Sequence, residues 1–441
     1  MKANFLVLLC VLALTACAST GTAPTAERRF QKAEQMLNTD GSTTFEFHSV
    51  LYYPHQIRPQ FDGYIIGVEK SGLNKITTPA DLRMKGLPGT GLDTAEATRK
   101  KLTDLKAMFI SHILKQSGAT TCFEYNVYQA LDGAAAQFAD GCHNNAAEPQ
   151  VPLDAVYAGS WTALDRLSHA LATDLASKQY SHIVVLVMGW NTTQEEAVRN
   201  FNSIVFNLKA QDPTFRPLVI GVTWTSQWTY RWLDSVIRFA SFPSKAQDAD
   251  QLGLSWLGIL LHETIPDAHP GPVPLIVIGH SFGSRAASTA ACIGPGIYNM
   301  DPARPRQNIH ALINLQGAFL SSRLFGADDQ GIHFPDRCRN VKRQVLTASS
   351  FDTAVTQPFW GDYAGTSASY GGQCGSPSAA IDCRKAQPSG HYPPSSRHII
   401  YLDADLLIRE NAYGSGGGAH SDIYRREHGA MIWQAITEAV D

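Results

Sequence analysis

Residues 274–287 read Pro274-Leu275-Ile276-Val277-Ile278-Gly279-His280-Ser281-Phe282-Gly283-Ser284-Arg285-Ala286-Ala287. The first part is an unbroken apolar run, the pattern of a strand buried on both faces. The last part is a series of small residues suited to a helix lying close on that strand. Between them, Ser281 has a glycine two residues away on each side. Such glycines relieve crowding where a strand turns sharply into a helix, and the turn lifts the serine hydroxyl above the strand end. A bare G-x-S-x-G also arises by chance as a Gly-rich turn. The strand before it and the helix after it are what make Ser281 a candidate nucleophile.

Outward from this turn, after about residue 155, short apolar runs alternate with helical segments, the mark of a mostly parallel sheet with crossover helices. The predicted strands are 183–188, 218–223, 275–279, 311–315, 344–348 and 398–402; the helices are 161–178, 193–209, 246–262, 283–292 and 423–439. Residues 324–343 and 356–397, rich in Gly, Pro, Ser or charge, read as loops over the sheet edge. The domain organisation expected is a signal peptide over 1–17, a flexible tether over 18–27, an N-terminal extension of unknown role over 28–150 and a catalytic domain over 151–441. Within the extension, 44–53 and 64–68 read as strands, and 93–116 as an amphipathic helix carrying Leu102, Leu105, Met108, Phe109, Ile113 and Leu114. Aromatic residues crowd the stretch from Trp224 to Trp256 (Trp228, Tyr230, Trp232, Phe239 and Phe242 between them), either as core or as the lining of an acyl pocket.

A serine hydroxyl is a weak nucleophile at neutral pH and needs a base, which in turn needs an orienting group. In a strand-turn-helix site of this kind the acid and then the histidine follow the serine along the chain. Asp352 comes in the loop after the 344–348 strand and is the expected acid. His420, delivered by Gly416-Gly417-Gly418-Ala419 before the last helix, is the expected base. His428, inside that helix, is the competing histidine and is expected to be half-exposed. Asp403 and Asp405 compete for the acid role, and Asp422 reads as a cap of the final helix. Acyl transfer further needs two N–H donors for the oxyanion: Phe282, following the nucleophile, and Trp190, where Gly189 lets the chain turn at the end of the 183–188 strand.

On these residues the chain resembles the α/β-hydrolases, and within them a group of bacterial serine esterase/lipase-like hydrolases of unknown function. Met188-Gly189-Trp190-Asn191-Thr192-Thr193-Gln194-Glu195-Glu196-Ala197 resembles the group's oxyanion segment, Val222-Thr223-Trp224-Thr225-Ser226 its next strand end, and His420-Ser421-Asp422-Ile423-Tyr424 its histidine segment. One residue departs from the pattern: Met188 stands where that group usually has histidine. The resemblance implies the α/β-hydrolase fold and acyl-transfer chemistry without a cofactor.

The N-terminus joins Lys2 to the apolar run Phe5–Leu14, an export signal too short to span a bilayer. Leu14-Thr15-Ala16-Cys17 resembles a lipobox, which implies lipidation of Cys17, a membrane tether and a place in a bacterial cell envelope, with Ala18 similar to lipoproteins sorted to the outer membrane. Beyond Cys10 and Cys17 six cysteines remain, an even number suited to an oxidising compartment. Cys122 with Cys142 and Cys374 with Cys383 are the short-loop options, and the pairing stays open. No CxxC spacing points to a metal. A formal net charge of −3 without a basic stripe argues against nucleic acid as a partner. The expected partner is a small-molecule or lipid ester. Amide, thioester and peptide hydrolysis use the same triad and remain alternatives, as does a scaffold that kept the fold without activity.

Overall fold

The strand residues 183–187, 218–222 and 275–278 are apolar and buried throughout because helices cover both faces of the sheet they form, leaving no solvent face to alternate with. The computed structural model describes residues 59–70, 108–126, 142, 155–189, 192, 194–224, 245–268, 271, 273–297, 309–325, 333–334, 338, 340–354, 362–375, 381–410 and 418–440. Ten strands make one sheet: β1 Gly63–Lys70, β2 Met108–Ser117, β3 Thr120–Asn126, β4 His182–Val187, β5 Pro217–Trp224, β6 Leu275–His280, β7 Ile309–Leu315, β8 Val341–Ala348, β9 Ile381–Lys385 and β10 Ile399–Asp403, in the order β3-β2-β1-β5-β4-β6-β7-β8-β10-β9. From β1 to β9 the neighbours are parallel, whereas β2 is antiparallel to both β1 and β3. Between them run α1 Val156–Ser177, α2 Gln194–Lys209, a helical stretch over 245–268, α3 Phe282–Ile297 and, at the end, α4 Arg426–Val440. Each predicted strand after residue 155 is a strand here, and the fold is that of the α/β-hydrolases. Among the described residues no helix is long and apolar enough to cross a membrane.

The N-terminal region departs from expectation twice. Residues 108–117 form β2 rather than the end of a helix. Met108 to Leu114 are buried on both faces, the polar Ser111 and His112 included, and a segment without an alternating solvent face shows no period of two in its sequence. Leu102 and Leu105, like the strand predicted over 44–53, lie outside the described residues. The boundary drawn at residue 150 is also not a boundary of the sheet. β1 pairs with β5 from Gly63↔Val219 to Val68↔Trp224, and buried bonds tie these strands to later helices. The Tyr64 hydroxyl donates to Asp174 (2.6 Å), the Ile110 N–H to Ser160 Oγ (2.8 Å) and Trp256 Nε1 to the Met108 carbonyl (2.9 Å).

Among the described residues three disulfides close loops: Cys122–Cys142, Cys374–Cys383 and Cys292–Cys338. The stretch 356–397 is more ordered than the loop expected, since it contains a helix over Ser367–Gly375 and the edge strand β9, joined by Cys374–Cys383. Of the aromatic stretch, Trp224 and Trp256 are buried core, Trp256 edge-on to Trp161 at 4.9 Å; Trp228, Tyr230, Trp232, Phe239 and Phe242 lie outside the described residues.

Candidate active site

β6 delivers Ser281 in the left-handed region at φ 58°, a conformation that costs a residue with a Cβ about 1–2 kcal/mol and marks a turn the surroundings must hold. They hold it by backbone bonds: Ser281 N–H donates to the Leu315 carbonyl (3.0 Å), and the Ser281 carbonyl accepts from Ser284 (3.0 Å) and Ala318 (3.1 Å). Phe282 opens α3, so its N–H belongs to the first turn of the helix. The chain after β4 passes directly over the serine. A Cβ on Gly189 would stand 2.5 Å from Ser281 Cβ and 3.0 Å from its Oγ, so only glycine fits there. Trp224 Nε1 donates to the Met188 carbonyl (2.9 Å) and pins this approach, while the buried Met188 sulfur meets the Tyr424 hydroxyl at 3.8 Å. Trp190, expected as the second oxyanion donor, and Cys17, the expected lipid site, lie outside the described residues.

The acid loop leaves β8 and is fastened to the loop after β10. Ser349 Oγ donates to the Ile408 carbonyl (2.6 Å), and Ser350 gives its N–H and its hydroxyl to the two oxygens of Asp405. This turns Asp352, fully buried, toward the histidine loop. Its Oδ2 accepts from His420 Nδ1 (2.8 Å) and Gln316 Nε2 (2.9 Å), and its Oδ1 from the Ala354 N–H (3.0 Å). The two loops also meet through backbone: Gly418 bridges Asp352, and the Ala419 N–H donates to the Phe351 carbonyl (2.8 Å). Gly418 has φ +61°, and a Cβ there would lie 2.3 Å from that carbonyl oxygen.

The base loop lies against the serine turn. His280 Nε2 donates to the His420 carbonyl (2.8 Å), and the two rings are 4.8 Å apart. Burial, reinforced by the neighbouring His420, pushes His280 down to about 3, so it is a neutral donor at ordinary pH. Of the expected residues, then, Ser281 and Phe282 follow β6, Asp352 follows β8 and is bonded to His420, and the His420 backbone is bonded to His280, next to Ser281.

The competing residues have other partners. His428 is fully buried rather than half-exposed, because α4 packs that face inward; its Nδ1 accepts from the Arg425 N–H (3.2 Å), and burial lowers it to about 4. Asp403 pairs with Lys385 (3.4 Å) and Asp405 with Ser350. Asp422 does not cap the last helix, which starts later, at Arg426. It takes the Arg409 and Glu410 N–H groups and the Arg425 guanidinium instead. Sequence reasoning passed over His280, Gln316 and Thr347. The available signal was position: His280 and Thr347 lie at the ends of β6 and β8, and Gln316 directly follows β7, where parallel sheets place their sites. Among the described residues no group of three or more His, Cys, Asp or Glu could hold a metal ion.

Residues 164–252 match the model of a family described as alpha/beta hydrolase of unknown function (DUF900). The match runs from α1 into the helical stretch over 245–268 and includes the Met188–Gly189 approach. It ends before Ser281 and covers none of Ser281, Asp352 and His420. No curated protein matches the sequence.

Proposed function

We propose that this chain, which has the α/β-hydrolase fold, is a serine esterase, lipase-like in its substrates and lipid-anchored through Cys17 in a bacterial envelope. The observation that carries the reading is the 2.8 Å bond from His420 Nδ1 to Asp352, in a histidine loop bonded to the turn that bears Ser281. A carboxylate only accepts hydrogen bonds, so Nδ1 carries the hydrogen and Nε2 is left as the base. His420 Nε2 takes the Ser281 hydroxyl proton as Oγ attacks the ester carbonyl. Asp352 holds the ring in this tautomer and offsets the imidazolium charge that forms. Stabilising the oxyanion is the role proposed for the N–H groups of Phe282 and Trp190. Collapse breaks the C–O bond, the alcohol leaves with the proton from His420, and water repeats the sequence on the acyl-Ser281 ester. The chemistry needs no cofactor. The substrate is a small-molecule or lipid ester, which a lipid tether would keep close to its source.

Fluorophosphonate labelling of the full chain in detergent tests the reading. Labelling of the native chain that vanishes in Ser281→Ala is expected, and a folded native chain that takes no label, or labels equally in the variant, overturns it. A nitrophenyl-ester series tests the substrate class, with rates rising toward longer acyl chains expected and a short-chain-only profile against it. Incorporation of an alkyne-tagged fatty acid, lost in Cys17→Ala, tests the anchor.

A further inference from the structure

We infer that the acid–base pair is held in register by two buried donors outside it, His280 on the base and Gln316 on the acid, acting as positioning residues; the inference rests on the triad reading above. The base and the acid arrive on late loops, and a shift of about 1 Å in such a group can cost about a hundredfold in rate. Something rigid must therefore fix both loops relative to Ser281. His280 does so for the base because it is the last residue of β6, adjacent to the nucleophile. A carbonyl only accepts, so the hydrogen in the 2.8 Å contact sits on His280 Nε2, and the backbone of His420 hangs from the strand that carries the serine.

Gln316 does so for the acid. It follows β7 at φ +48°, a left-handed conformation unusual for a residue with a Cβ, and it is wholly buried. Its N–H donates to Thr347 Oγ1 (2.9 Å), and the Thr347 hydroxyl donates back to Gln316 Oε1 (2.8 Å). Because the Asp352 carboxylate only accepts, the amide nitrogen must face it, and Nε2 donates to Asp352 Oδ2 (2.9 Å), which leaves Oε1 for the Thr347 hydroxyl. The same Asp352 oxygen receives His420 Nδ1. With Ala354 on the other oxygen, the carboxylate cannot rotate away from the imidazole. Both donors are neutral, so they set geometry without cancelling the charge that acts on His420.

Single-methylene changes separate positioning from packing. In His280→Gln the amide reaches about as far as Nε2, and in His280→Asn it falls short. Asparagine at 316 tolerates the left-handed backbone yet withdraws the donor from Asp352. The measurements are kcat and KM for a nitrophenyl ester and the melting temperature, on the full chain in detergent. His280→Asn and Gln316→Asn are expected to lower kcat by about tenfold to a hundredfold with KM little changed, and His280→Gln to recover most of the rate. Thr347→Val, which frees the amide to turn, is expected to lower kcat by a smaller factor and serves if Gln316→Asn does not fold. Native rates in the folded asparagine variants, or His280→Gln as slow as His280→Asn, overturn the inference. If Ser281→Ala abolishes turnover while these variants keep native rates, only the positioning inference falls; if Ser281→Ala keeps native turnover, the triad reading falls first.

Discussion

Asp250 and Asp352 are both buried completely, and their surroundings assign them opposite duties. Asp250, in the helical stretch over 245–268, lies between two guanidiniums. Arg285 reaches its Oδ2 through Nε (3.0 Å) and Nη2 (2.6 Å), Arg323 takes both oxygens (2.7 and 2.9 Å), and Thr289 adds a hydroxyl (3.0 Å). Burial would raise this carboxyl, but the two arginines outweigh it and hold the group well below the usual carboxylate range. Its charge is neutralised where it stands, and it braces α3 against the neighbouring helical stretch. Asp352 meets an amide, a backbone N–H and an imidazole, with no guanidinium among its contacts within the described residues. Its field therefore falls on His420. Burial does not separate the brace from the proposed triad acid; the two differ in the charge of their partners.

Asparagine at each position breaks this contrast most directly. Asp352→Asn is expected to lower kcat/KM by about 10⁴-fold, because an amide no longer selects the Nδ1–H tautomer, with the fold kept. Asp250→Asn is expected to cost about 3–5 kcal/mol in urea unfolding, since it leaves buried guanidiniums unpaired, while the folded fraction keeps its specific activity. Exchanged outcomes would refute the distinction. Next in size, Gly418→Ala places a Cβ against the Phe351 carbonyl at a left-handed φ, and a kcat loss of about tenfold or more is expected as the His420 loop moves.

The buried histidines add a pH test of the surroundings. His280 and His428 sit at about 3 and about 4, below the ordinary 6.5, so the unfolded chain takes up protons first as pH falls. Stability from these two is complete above about pH 6.5 and is lost progressively as pH falls from there, down to about 4 for His428 and about 3 for His280. Melting temperatures measured from pH 7 to 4.5 should fall, and His428→Gln should make the fall shallower; an unchanged slope would show that His428 is not the cause. The smallest effect expected is that of Trp224→Phe. It removes the bond to the Met188 carbonyl, costs about 1 kcal/mol in thermal unfolding and slows turnover only a few-fold.

Much of this arrangement was legible before any coordinates. Ser281 declared itself because strand, turn chemistry and helix are all written within fourteen neighbouring residues. Asp352 and His420 could be proposed because parallel strands deliver their loops to one edge, so a polar residue after an apolar run is already roughly placed. The region before residue 150 was misread at Met108 to Leu114, where both faces are buried and even Ser111 and His112 lie inside, because two-sided burial erases the period that separates helix from strand. Asp422 was misplaced because the start of α4 moved, and a cap is only as well defined as the helix end it serves.

Local pattern, then, determined the strands after residue 155, the elbow at Ser281 and the candidate acid and base, since periodicity and turn chemistry act over a few residues. Tertiary structure alone decided that β1, β2 and β3 extend the same sheet, that Cys292 pairs with Cys338, and that Asp352 rather than Asp403 or Asp405 meets His420. It also brought His280 to the His420 carbonyl and Gln316 to the acid. Each of these is a contact of a few ångströms between segments far apart in the chain. Such contacts depend on where whole elements pack, which no short window of sequence records.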